Sequence, residues 1–164
     1  MRNTALSLTA LAAFTAPTIV MAQPAQAPLT GSQVIITLAK AKGVVLTPAQ
    51  IVAIQRNPAA FAKSPAFTLM SKKLGLTPTL MAALVTNANA AVSPVLAVQA
   101  FVQSTTGKTL TDAAAQGFIA AHPELGTLTP QSFAAAASDP TIVAAVNTVA
   151  AAAQSPVTAR GGGS

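Results

Sequence analysis

The chain has 164 residues, of which 52% are hydrophobic and only 7% charged, with nine Lys or Arg, three Asp or Glu and one His. This length suits one domain with a modest core, and the charged fraction is far below the quarter that is usual in soluble proteins. The chain contains no cysteine, which excludes disulfides, thiolate zinc sites, thiol nucleophiles and a lipoprotein anchor. So few acidic residues nearly exclude catalysis by paired carboxylates.

The N-terminal residues predict a secretory signal peptide over 1–22. Arg2 supplies the positive charge, residues 6–14 form a short apolar run, and residues 20–22 place small side chains at the cleavage positions. We expect cleavage after Ala22 and export to the periplasm or the extracellular space. The alternative is an uncleaved anchor, but the apolar run is short for a membrane span, which needs about 20 residues.

Beyond the signal peptide we expect a linker over 23–29, a helical domain over 30–153 and a flexible tail over 154–164. Helix-start signals recur through the domain. A Ser, Thr, Asn or Asp directly before Pro fits an N-cap followed by the first helical residue, where a missing N–H costs nothing. The pairs are Thr47-Pro48, Asn57-Pro58, Ser64-Pro65, Thr77-Pro78, Ser93-Pro94, Thr129-Pro130 and Asp139-Pro140, and Thr30 and Thr111 resemble caps without Pro.

The tripeptide Leu-Thr-Pro occurs three times, at 46–48, 76–78 and 128–130. A hydrophobic residue before an N-cap can pack against the fourth helical residue, and this explains why leucine precedes each Thr-Pro pair. Gln33 and Gln50 also lie three residues after Thr30 and Thr47, which is the spacing of a capping box. We therefore interpret Leu-Thr-Pro as a helix-start signal rather than as a partner-binding motif.

Three glycines are predicted to end helices in a left-handed conformation: Gly43, Gly75 and Gly107, which are 32 residues apart. Together with the recurring helix starts, this spacing suggests three degenerate helical-hairpin units of about 32 residues, over 44–75, 76–107 and 108–153. The alternative is that any protein built of short helices repeats such caps without being a true repeat.

Apolar residues recur at helical spacing along the domain. Phe67, Met70 and Leu74 form one stripe, and similar stripes run through 95–102 and 142–149. No segment alternates in the manner of a strand with turn residues at its ends. The sequence therefore predicts an all-α fold, a compact bundle of about seven or eight short helices.

The basic residues do not predict nucleic-acid binding, although the sequence pI is about 10.6. The three acidic residues lie at predicted helix starts, and no basic cluster alternates with aromatic residues for base stacking. Six basic residues instead lie at predicted helix ends, where they complement the helix dipole: Lys40, Lys42, Arg56, Lys63, Lys72 and Lys73.

His122 is the only histidine, and it is the one residue on which an enzymatic role could depend. A catalytic role would pair it with Asp112 or Glu124 and recruit a distant serine, but no Gly-x-Ser-x-Gly motif presents one. One histidine and three scattered acids do not make a metal site, and glycine motifs for phosphate or dinucleotides are absent. We expect His122 to close a helix, and we assign no catalytic, cofactor-binding or metal-binding residue and no cofactor.

A membrane role is the main alternative, because residues 74–107 and 140–159 carry no charge. Within the first segment Asn87, Asn89 and Pro94 interrupt the apolar sequence, which leaves two halves that are each too short to span a bilayer. We therefore expect a non-catalytic binding or structural protein of the cell envelope or extracellular space. Its partner would be a protein, an envelope polymer or another copy of the chain, and a membrane-associated helical protein is the second hypothesis.

Overall fold

The computed structural model describes residues 27–154; the predicted signal peptide, the first part of the predicted linker and nearly all of the predicted tail lie outside the described residues. Within 27–154 the chain forms α-helices and one 3₁₀ turn, Pro123–Leu125, with an isolated bridge between Thr30 and Ala91 as its β-type pairing. The all-α bundle is thus confirmed. The helices are α1 Gly31–Ala41, α2 Pro48–Arg56, α3 Pro58–Ala62, α4 Pro65–Leu74, α5 Pro78–Thr86, α6 Pro94–Thr106, α7 Asp112–Ala121, α8 Pro130–Ser138 and α9 Pro140–Ala152.

Each predicted pair of cap residue and proline begins a helix, with the proline in the first turn. The backbone N–H of Gln50 donates to Thr47 Oγ1 at 3.2 Å, and the Thr47 N–H donates to Gln50 Oε1 at 2.9 Å, so the predicted capping box at α2 is complete. Ser64 differs, because its hydroxyl donates back to the carbonyl of Phe61 at 2.7 Å instead of accepting from its own helix. Local sequence therefore determines where the helices begin.

The three predicted helix-ending glycines all have left-handed backbone, with φ of 67° at Gly43, 70° at Gly75 and 73° at Gly107. At Gly75 the turn is closed by two hydrogen bonds, from the Gly75 N–H to the Lys72 carbonyl at 3.1 Å and from the Leu76 N–H to the Ser71 carbonyl at 3.0 Å. These bonds satisfy carbonyls at the end of α4 that would otherwise have no partner in the helix.

Helices α1 and α6 lie at the centre of the bundle. Helix α1 packs against α2, α5, α6 and α8, and α6 packs against α5, α7 and α9. Of the three proposed hairpin units, the first packs on the second through α3 and α4 against α5, and the second packs on the third through α6. Helix α1 lies outside these units and contacts all three. The three units are therefore joined into one bundle by a helix that belongs to none of the proposed repeats.

The predicted apolar stripes form the core. Phe67, Met70 and Leu74 are buried, as are Phe101 and Phe133, whose rings meet edge to face with centroids 6.1 Å apart. The charge-free segment 74–107, which resembled a membrane segment in sequence, supplies α5 and α6 and much of this core. In the described part of the chain no single helix is long and apolar enough to cross a membrane; α8 and α9 meet that test only together and are bent by 77°.

The N-terminus of α1 packs directly on the backbone that follows α5. The Gly31 N–H donates to the Asn87 carbonyl at 2.9 Å, and the Val92 N–H donates to the Leu29 carbonyl at 2.9 Å. A Cβ on Gly31 would overlap the carbonyl oxygen of Leu84 and lie 2.8 Å from that of Asn87. Only glycine therefore permits this approach, and Leu29, at the end of the predicted linker, is already part of the core.

A buried polar joint links the end of α4 and the start of α5 to α6. Gln103 accepts from the Thr77 N–H at 2.8 Å and donates to Thr109 Oγ1 at 2.8 Å. The Ser104 hydroxyl donates to the Leu74 carbonyl at 2.8 Å. Because the side chains of Gln103 and Ser104 are buried and both are hydrogen-bonded, the joint fixes how α6 packs against the turn at Gly75.

Candidate functional site

His122 lies where the sequence predicted a helix end. It is the C-cap of α7, and its backbone N–H donates to the Phe118 carbonyl at 3.0 Å. Its ring packs on Phe118, with centroids 4.6 Å apart, and its Nδ1 lies 3.1 Å from Oε1 of Glu124. This is a local contact at a helix end between groups two residues apart in sequence.

The other potential partner of His122 lies elsewhere. Asp112 begins α7 and His122 follows its last residue, so they are separated by the length of the helix, about 15 Å at 1.5 Å per residue. The Asp112 carboxylate instead accepts from Gln99 Nε2 at 2.8 Å. Among residues 27–154 there is no group of three His, Asp or Glu side chains that could hold a metal ion.

The hydroxyls of the buried serines Ser71 and Ser104 make structural hydrogen bonds. The Ser71 hydroxyl donates to the Leu76 carbonyl at 2.7 Å, and Ser104 is held in the same way by Leu74. Every buried side-chain nitrogen or oxygen in the described region has a hydrogen-bond partner. These hydroxyls donate to carbonyls at and just after the end of α4, and not to a base that would activate a nucleophile.

One cleft opens between α1 and α8, with a volume of about 360 Å³. Gln33, Thr37 and Lys40 from α1 and Ser138 from α8 form its polar lining, beside Ile36, Pro130 and alanines. The volume is within the range of small-molecule sites, but Lys40 is the one ionisable side chain that lines the cleft.

A broader feature is an exposed apolar surface formed by α2, α3, α4 and the segment before α2. We call it the α2–α4 surface, and it consists of two adjoining grooves that share Gln50 and Ala66. The larger groove, of about 360 Å³, is lined mainly by alanines and Phe61. The residues of the surface are Val44, Val45, Leu46, Ala49, Gln50, Ala53, Asn57, Ala60, Phe61, Ser64, Ala66, Leu69, Met70 and Lys73.

Two of the three large apolar side chains that are exposed in the described chain line this surface. Val45 is 88% exposed and Leu69 is 56% exposed, and both line the smaller groove; Val52, on α2, is 45% exposed. Their concentration within 45–69 distinguishes this face, because scattered single apolar residues on a surface have no such meaning.

The same part of the chain is basic. Residues 27–75 contain six Lys or Arg and no Asp or Glu, whereas residues 76–154 contain one Lys and all three acidic residues. The six basic residues lie in last turns or at C-caps, which confirms their predicted place at helix ends. The exposed apolar side chains lie in the same stretch of sequence, which the helix-end interpretation did not predict.

Sequence reasoning missed the α2–α4 surface, although one signal was present. The stripe of Phe67, Met70 and Leu74 accounts for the buried side of α4, and Leu69 does not belong to it. A leucine outside the stripe of a short helix indicates a second apolar face.

Comparison with known protein families, characterised proteins and solved structures found no match for this chain.

Proposed function

We propose that this chain is an exported, non-catalytic binding protein that contacts its partner in the cell envelope through the α2–α4 surface. The observation that carries the proposal is the concentration of exposed apolar side chains there: Val45 and Leu69 line one groove of the surface, and Val52 lies on α2 outside the groove linings. Apolar surface left open by a folded chain is a common mark of an interaction site.

The distribution of reactive groups supports a binding role over an enzymatic one. His122 has Glu124 and Phe118 as its neighbours and lies at a helix end, while Asp112 is engaged by Gln99. The signal-like sequence at 1–22 supports export, and the chain's lack of cysteine is compatible with a domain that is held by packing alone.

The proposal is tested by cell fractionation of the full chain in its native host. Wild type is compared with the double variant Val45→Ser, Leu69→Ser and with a control, Ala113→Ser, Ala144→Ser, which changes two exposed residues of α7 and α9. We expect wild type and control to remain with the envelope and the surface variant to move to the soluble fraction or the medium. Identical distributions of all three proteins would overturn the proposed binding surface.

Export is tested in the same cells by the mass of the mature protein. We expect the chain outside the cytoplasm to begin at Gln23, because cleavage is predicted after Ala22. A protein that keeps residues 1–22 and remains in the cytoplasm would contradict export. It would not contradict the binding surface, whose variants would then be compared in the cytoplasm.

A further inference from the structure

The α2–α4 surface combines apolar side chains with positive charge. On α4, Ala66, Leu69, Met70 and Lys73 line the same groove, and Lys73 comes four residues after Leu69, so Lys73 lies beside this exposed leucine. Val45 reaches this groove from the segment before α2. The unit thus presents apolar side chains and a lysine together.

We propose that the α2–α4 surface docks on the surface of an anionic lipid bilayer. The inference rests on the proposed function and specifies its partner. A protein that lies in a membrane interface inserts a few apolar side chains and places basic ones at the level of the headgroups. Val45 and Leu69 are the inserted residues, and the long side chain of Lys73, which lines the same groove, extends toward the phosphates.

Charge complementarity favours an anionic bilayer. A cluster of about four to eight Lys or Arg is the usual signature of binding to acidic lipids. Four basic residues, Arg56, Lys63, Lys72 and Lys73, lie on α2–α4 or at their ends, and no acidic residue precedes Asp112. Since the two exposed apolar side chains of the groove bury little area, the apolar contact alone is weak, and the basic residues are needed to supply the rest of the binding.

A second copy of the chain is a poorer complement, because it carries a formal net charge of +6 and only three acidic residues. These three, Asp112, Glu124 and Asp139, lie on three different elements and form no acidic patch that could face the basic residues. Nucleic acid is also a poorer complement. The five phenylalanines within 27–154 are all buried, and the chain has no Trp or Tyr, so no exposed ring in that region can stack on a base.

The test is flotation of the protein, purified from its host, with vesicles of phosphatidylcholine alone or of equal parts phosphatidylcholine and phosphatidylglycerol. We expect flotation with the anionic vesicles only, and less of it at high salt, because salt screens the basic residues. The result that overturns the inference is a protein that stays at the bottom with anionic vesicles, or one that floats equally with both kinds.

Two lysine variants with the same change in charge provide the matched control. Lys73→Gln removes a charge from the α2–α4 surface, and we expect partitioning about fivefold weaker, which is the usual effect of one basic residue near an anionic membrane. Lys108→Gln removes a charge from the segment between α6 and α7 and should leave partitioning unchanged. Equal losses would show attraction by net charge alone and overturn the docking surface.

An apolar variant separates docking from damage to the fold. Val45→Ser changes an 88% exposed residue outside the helices, so we expect wild-type circular dichroism and weaker flotation. Light scattering without lipid reports self-association: a wild-type dimer that Val45→Ser dissociates would overturn the lipid assignment. If envelope retention in cells depends on Val45 and Leu69 while the purified protein does not float with vesicles, the lipid inference fails and the proposed function stands.

Discussion

The replacement of Gly31 by alanine provides a sharp test of the packing. The added Cβ would overlap the Leu84 carbonyl oxygen and crowd that of Asn87, which are backbone atoms that cannot rotate away. Forcing extra atoms into a packed core costs typically about 1–3 kcal/mol, and an immovable obstacle places this substitution at the upper end. If α1 moves back instead, the hydrogen bonds from Gly31 and Ser32 to the Asn87 and Ala88 carbonyls are lost, at about 1 kcal/mol each.

The same substitution at Gly117 is the control. Gly117 is exposed within α7, and a Cβ built there meets no atom within 4 Å. Alanine at such a site should stabilise the protein by about 0.5–1 kcal/mol, because glycine has more freedom to lose on folding.

Thermal unfolding followed by far-UV circular dichroism measures both glycine variants. At about 4 °C per kcal/mol for a domain of this size, Gly31→Ala should melt roughly 10 °C below wild type and Gly117→Ala a few degrees above it. A Gly31→Ala protein that melts at or above the wild-type temperature would refute the close approach of α1 to the end of α5.

Three further substitutions test other parts of the structure. Gln103→Leu should destabilise the protein by about 1–3 kcal/mol, since the Thr77 N–H loses its acceptor. Urea unfolding measures this loss of stability, and an unchanged unfolding midpoint would contradict the role given to the Gln103 hydrogen bonds. Phe133→Ala should cost about 3–5 kcal/mol because the ring is buried against Phe101; a smaller loss in urea would mean looser packing. His122→Ala should leave envelope retention unchanged, and a loss of retention with an unaltered melting curve would give the histidine a role beyond capping.

Features set by neighbouring residues were predictable from the sequence. Thr47 and Gln50 carry the information for a capping box within four residues, and the left-handed turns at Gly75 and Gly107 require only a glycine after a helix. Such signals determine where a helix starts and stops. They do not determine which helices meet, because that choice depends on side chains that are far apart in sequence.

Two of the features that the sequence did not predict depend on contacts between distant segments. Gly31 resembles an ordinary residue after a cap until α5 is placed against it, and Gln103 resembles a surface glutamine until it reaches Thr77, 26 residues away. The exposed apolar surface was missed for the opposite reason. Val45 and Leu69 are the residue types of a core, and only the packed bundle shows that no other helix covers them.

The central position of α1 has a consequence for the order of folding. This helix is complete by residue 41, yet it packs against α8, which begins at residue 130. The loop between α1 and α8 must close before the two helices can make the contacts that stabilise the bundle. The bundle therefore cannot reach its final form until almost the entire chain is present. On the export route proposed above, with the N-terminus first, this delay would keep the domain open while it crosses the membrane. Helix α1 would then emerge first and pack only after α8 had followed it.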